Sequence, residues 1–123
     1  MNKFGPNEVP QMMDFMDTCD VCVMHNGVGY DWPLLRKLYG YEYQGKKIDT
    51  LLMSRLQQPE RSRPIGCNAG PHSIEAWGMR LGRSKPEHED WSRFSKEMLH
   101  RCTEDVEIQH QTCLLYTSDA ADE

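Results

Sequence analysis

The stretch that most limits what this chain can become is Val21-Cys22-Val23-Met24, followed at once by His25-Asn26-Gly27-Val28-Gly29-Tyr30-Asp31-Trp32-Pro33. A short apolar run ending at Asn and Gly reads as a buried strand, and Leu34, Leu35 and Leu38 beyond it repeat at helical spacing. The chain therefore passes from strand to helix across residues 25–33. Asp31 sits at that junction, with Pro33 at an early helical position where its missing N–H costs little. A second carboxylate, Asp105, falls in His100-Arg101-Cys102-Thr103-Glu104-Asp105-Val106, inside a long helix expected over residues 92–112. Two acids on ordered elements, far apart in sequence, suggest half of a divalent-metal site. Taken alone, Asp31 equally suits the N-cap of the helix opening at Trp32.

At 123 residues the chain is long enough for about one domain with a real core. Its 27% charged and 38% hydrophobic residues are ordinary for a globular protein, and the mean hydropathy of -0.73 is low. No segment approaches the ~20 apolar residues of a membrane span, and the first residues lack the apolar core of a signal peptide. The expected setting is the cytoplasm, with no membrane partner. Five cysteines, an odd number without framework spacing, fit reduced thiols. A net charge of -5 argues against holding nucleic acid by bulk electrostatics alone. Local basic patches remain at Arg36-Lys37, at Lys46-Lys47, and at Arg55, Arg61 and Arg63.

Val9, Met12, Met13, Phe15 and Met16 give residues 7–18 a helical apolar face suited to packing on a sheet. A strand over 20–24 and a helix over 31–39, ended by Gly40, follow. Residues 44–48 suit a second short strand, with Asp49 as N-cap of a helix over 50–56. Three prolines and two glycines without periodicity make 57–71 a loop. Ser73 and Ile74 open a helix whose Ile74, Trp77, Met79 and Leu81 cover a core, stopped by Gly82. A charged connector over 86–90 leads to the last helix. The final residues, 113–123, resemble the translation of a sequencing-library adapter and are expected to lie outside the native domain, so that 1–112 is a partial domain.

Residues 25–107 resemble the 3′→5′ proofreading exonuclease domain of family A DNA polymerases, above all those of podovirus-type bacteriophages. His-Asn-x-x-x-Tyr-Asp-x-Pro at 25–33 looks like that family's second exonuclease motif. Ile48-Asp49-Thr50-Leu51 through Ser54-Arg55-Leu56 looks like its following helix, and His72 through Gly82 like the helix before its third motif. The resemblance implies an α/β, RNase H-like fold in which four acidic residues bind two divalent metals, Mg2+ or Mn2+. It matches Asp31 and Asp105 to two of the four. Hard cations prefer carboxylate oxygens, and a pair about 3.5–4 Å apart both activates water and stabilises a leaving 3′-oxygen. Asn26 and Tyr30 are then expected to orient the terminal nucleotide. The implied partner is the single-stranded 3′ end of DNA, with a polymerase domain in the same full-length chain.

Two departures qualify the match. The family's first motif, an Asp-x-Glu on the opening strand, has no counterpart before Asp31, so the sheet is expected to be incomplete and the chain inactive in isolation. In the third motif, related enzymes carry a tyrosine four residues, or a histidine five residues, before the last Asp. Arg101 occupies the first position and His100 the second. His100 is thus a candidate catalytic base, with an ordinary pKa near ~6.5.

Two other readings stand beside this one: a DNA-binding remnant without catalysis, and a module held by zinc through Cys19-x2-Cys22-x2-His25 with Cys67, His72 and His88. Against zinc, strand alternation points Cys22 into the core and no second cysteine pair exists. Among the tryptophans, Trp77 at helical spacing belongs to the core, and Trp32 is the one placed near substrate.

Overall fold

The chain divides into two units, Met1–Asp49 and Thr50–Glu123. The computed structural model describes residues 2–83 and 92–122. The charged connector expected over 86–90, with His88 and Trp91, lies outside the described residues.

In the first unit, Pro6–Glu8 forms one tight turn that leads into helix α1, Val9–Asp17, with Pro10 in its first turn where no N–H is needed. Met16 is the buried residue of this helix, whereas Phe15 stays 41% exposed and meets Phe4 ring to ring at 5.9 Å. Strand β1, Val21–Met24, pairs in parallel with β2, Lys46–Asp49, in the register Val21↔Lys46 to Met24↔Asp49. Parallel strands need a crossover, and helix α2, Trp32–Tyr39, supplies it. Gly40 ends α2 as expected: at φ 61° it adopts the left-handed conformation that closes the last turn, its N–H reaching the Arg36 carbonyl at 3.0 Å.

The second strand begins two residues later than the sequence suggests. The Tyr43 hydroxyl donates to the Cys19 carbonyl at 2.6 Å, and pairing starts only where the Lys46 N–H reaches the Asp20 carbonyl at 3.0 Å. Nor is β1 the buried strand its apolar run predicts. Val21 is 43% exposed and its three neighbours are only partly covered, because among the described residues the sheet has two strands and covers β1 incompletely.

The second unit is helical: α3 over Thr50–Gln57, α4 over Ile74–Arg80 and α5 over Lys96–Asp122. Its core is Trp77 against Ile108, with Met53, Ile74 and Leu81 packed around them. Ser73 caps α4 through Oγ, which accepts the Ala76 N–H at 3.1 Å. A buried polar chain crosses this core. Trp77 Nε1–H donates to Ser54 Oγ at 3.0 Å, Ser54 Oγ lies 2.7 Å from His72 Nδ1, and His72 Nε2 lies 3.2 Å from the Pro59 carbonyl. One assignment satisfies every member: Nε2–H donates to the carbonyl and the Ser54 hydroxyl donates to Nδ1.

Helix α5 starts at Lys96 rather than near Ser92. Ser95 sets that start, because its Oγ accepts the Met98 N–H at 3.1 Å and its carbonyl the Leu99 N–H at 3.1 Å. Thr112 is buried, with its hydroxyl on the Ile108 carbonyl, while Leu114 and Leu115 are exposed. Among the described residues no helix is long and apolar enough to cross a membrane. The architecture is mixed α/β, with five α-helices and a two-stranded parallel sheet among the described residues.

Candidate functional site

Between β1 and α2 the chain makes a wide helical turn over Gly27–Asp31. It opens with Asn26 at φ 63°, a left-handed conformation that Asn tolerates better than most residues. The Asn26 carbonyl accepts the Tyr30 N–H at 3.0 Å. Gly27 lies against Trp32 and Met24: a Cβ there would sit 2.8 Å from the Trp32 ring and 2.9 Å from Met24 Cβ. The turn can pack over the indole only with glycine at that point.

Asp49 fixes this turn from the neighbouring strand. The parallel register places it beside Met24, and its two carboxylate oxygens accept the Asn26 N–H at 2.9 Å and the Val28 N–H at 3.1 Å. Charge-assisted bonds of this kind are the strong ones, and both amides lie where no helix or strand partner exists for them. Sequence reading assigned Asp49 only to capping of α3. Its part in the turn has no local signature, because it depends on which residue stands opposite Met24.

Asp31 is not a helix cap. Its backbone is already helical, at φ -65° and ψ -48°, and its side chain makes no capping bond. An N-cap needs non-helical dihedrals and a side-chain oxygen turned back to the helix amides. Among the described residues the Asp31 carboxylate accepts no hydrogen bond. Burial, and secondarily the charge of Asp49, pushes its pKa above the ordinary carboxylate value. The polypeptide thus holds a carboxylate in a place that disfavours its ionised form. Tyr30, next to it, is 62% exposed and its ring is free to meet a ligand. The Asn26 side chain folds over the turn, so that a Cβ at Gly29 would lie 2.6 Å from its Oδ1.

In the second unit, Asp105 lies on α5, and its Oδ1 is 3.8 Å from Nε of Arg101, one turn earlier. Arg101 thus fills the tyrosine position of the implied third motif with a cation that faces the candidate ligand. His100 is exposed on the same helix. Nearby, Arg83 Nη2 and Glu104 Oε2 pair at 3.0 Å.

Of the zinc reading, His88 lies outside the described residues, and the others form no metal-binding group. Among the described residues no three His, Cys, Asp or Glu side chains form a group able to hold a metal ion. Cys19 Sγ points at the Phe15 carbonyl and Cys67 Sγ at the Ala69 carbonyl, and His72 belongs to the buried chain with Ser54. Burial pushes the Cys22 thiol up, against the thiolate that zinc or disulfide exchange requires. Trp77 is core, 3% exposed. The guanidiniums of Arg61 and Arg80 lie 4.7 and 4.8 Å from its ring centroid, so Arg61 of the Arg61-Ser62-Arg63 loop is engaged in packing.

No profile of a known protein family matches the chain. It is 31% identical, over 121 aligned positions covering 70% of its length, to the DNA-directed DNA polymerase of Escherichia phage T7. The DNA-directed DNA polymerase of Enterobacteria phage T3 matches with the same identity and coverage. The chain spans 17% of the length of these relatives. It is therefore similar in sequence to one segment of phage DNA polymerases.

Proposed function

We propose that this chain is part of a 3′→5′ proofreading exonuclease domain of RNase H-like fold, acting on the single-stranded 3′ end of DNA within a DNA polymerase. The observation that carries the reading is Asp31. A partly buried carboxylate with a raised pKa and, among the described residues, no hydrogen-bond donor, displayed beside an exposed tyrosine, is costly to keep for structure and suited to a cation. The similarity to phage polymerases supplies the nucleic-acid context.

The reading implies a hard divalent ion, Mg2+ or Mn2+, which Asp31 and Asp105 would help to hold once the missing Asp-x-Glu carboxylates are supplied. Asp31 offers an oxygen whose charge lacks compensation, and Asp105 offers one that a cation shares with, or takes from, Arg101. Such ions, when bound, supply Lewis acidity toward the attacking water and the leaving 3′-oxygen. The chain's own residues do the rest. Tyr30 presents an open ring against the terminal nucleotide, Asn26 sets the turn that aims it, and His100 accepts the proton of the attacking water. The product of this chemistry is a deoxynucleoside monophosphate.

The test is hydrolysis of end-labelled single-stranded DNA by the chain carrying an upstream Asp-x-Glu strand, with Mg2+ or Mn2+. Monophosphate release is expected, with Asp31→Asn and Asp105→Asn each lowering the rate by about a hundredfold or more, about 2.7 kcal/mol of barrier. Binding of 3′ ends without cleavage establishes a non-catalytic remnant instead. A His100→Ala rate within a few-fold of the parent removes the base assignment.

A further inference from the structure

A cleft of about 170 Å³ opens in the first unit between α2 and the loop that leads to β2. Trp32, Pro33, Tyr41 and Tyr43 give it a largely aromatic wall. The wall is set before any ligand arrives. The Tyr41 hydroxyl donates to an Asp17 carboxylate oxygen at 2.7 Å, the Tyr43 hydroxyl to the Cys19 carbonyl at 2.6 Å, and Trp32 is only 8% exposed. Preorganised walls of this kind spare a ligand the cost of ordering them.

Two cations meet at the same opening. Arg36 comes from α2 and Lys47 from β2, and Lys47 Nζ stands 5.6 Å from the centroid of the Trp32 ring. Arg36 forms no ion pair among the described residues. Lys47 has Glu42 at 3.9 Å, a long and largely solvated contact of little strength. In a chain of net charge -5, this convergence of positive charge on one aromatic cavity is a local departure from the whole.

We propose that the cleft binds one nucleotide unit, its base against the Tyr41 and Trp32 wall and its phosphate between Arg36 and Lys47. Aromatic walls receive any base, because every base has a π-face, and a guanidinium pairs with phosphate oxygens in a fork. The cleft has room for one base, with the sugar and phosphate at its open side, since pockets for drug-sized molecules run to ~300–1,000 Å³. Glu42 opposes the phosphate and releases Lys47 when it binds. Neither Asp31 nor Asp105 lines this cleft, and no metal is needed, so binding here is measured independently of exonuclease activity. Two sources offer the same chemistry: a free mononucleotide, or a residue within a single strand.

The Trp32 indole N–H resonance of the full chain, followed in EDTA, tests the assignment with three probes: deoxythymidine monophosphate, inorganic phosphate and a short oligothymidylate. The monophosphate is expected to shift the resonance saturably with a Kd of about 1 mM or tighter. Arg36→Glu should weaken it about tenfold, and Glu42→Gln should tighten it by about threefold, both with unchanged circular dichroism. Tighter binding of the oligothymidylate assigns the site to a residue of the strand, and the reverse order assigns it to the free mononucleotide. No shift at about 10 mM monophosphate, equal affinity for bare phosphate, or indifference to both substitutions overturns the proposal.

Discussion

Asp31 and Asp105 are the same residue in opposite circumstances. The first stands partly buried after a wide turn, near another carboxylate, with no hydrogen-bond donor among the described residues. The second lies on a continuous helix with a guanidinium one turn away. One is held against its own electrostatics by a backbone that Asp49 pins, and the other faces a cation of its own helix. The contrast teaches that a raised carboxylate pKa is produced by neighbouring architecture, here burial and a parallel register that brings Asp49 close.

Removing the pin gives the largest effect that separates the two. Asp49→Ala leaves the Asn26 and Val28 amides without their acceptors and should cost about 2–4 kcal/mol in chemical denaturation. It should also lower the Asp31 pKa toward the ordinary value, because one of its two causes is gone. An unchanged Asp31 titration, followed by NMR, would break the link between strand register and the strained acid.

Asp31→Asn should act in the opposite direction. The folded chain binds the Asp31 proton more tightly than the unfolded chain does, so ionisation costs stability at neutral pH. That cost is absent below the ordinary carboxylate pKa, grows as pH rises from there to the raised folded value, and is complete above it. The variant should therefore be more stable than the parent at pH 7 and no more stable in acid. A loss at neutral pH would mean that the carboxylate serves the fold after all.

Asp105→Asn is the smallest. An i,i+4 pair with the cation on the N-terminal side is the weaker order, and loss of that pair should cost no more than about 0.5 kcal/mol, less at high salt. A cost above about 2 kcal/mol would make Asp105 a structural acid and remove the contrast.

The local parts of this fold were readable from the chain. The step from Val21 through Asp31 into α2, the stop at Gly40, the Ser73 cap and the loop before it follow from residues within a turn of one another. What was not readable depends on partners distant in sequence. Asp49 was assigned to α3 because capping is a local property, whereas its bonds to Asn26 and Val28 exist only in one strand register. His72 entered the sequence reading only through the disfavoured zinc alternative, whereas its Nδ1 lies 2.7 Å from Ser54 Oγ, a residue whose place on α3 carries no sign of a histidine to come. The basic pairs at 36–37 and 46–47 were visible as patches. Only the crossover turns Arg36 and Lys47 toward a common opening.

The two bonds from Asp49 also decide what is portable. A designer who lifts residues 25–33 into another scaffold carries away a loop whose amides have lost their anchor. The smallest transplant that keeps the acid in its posture runs from Val21 to Asp49, both strands with the helix between them.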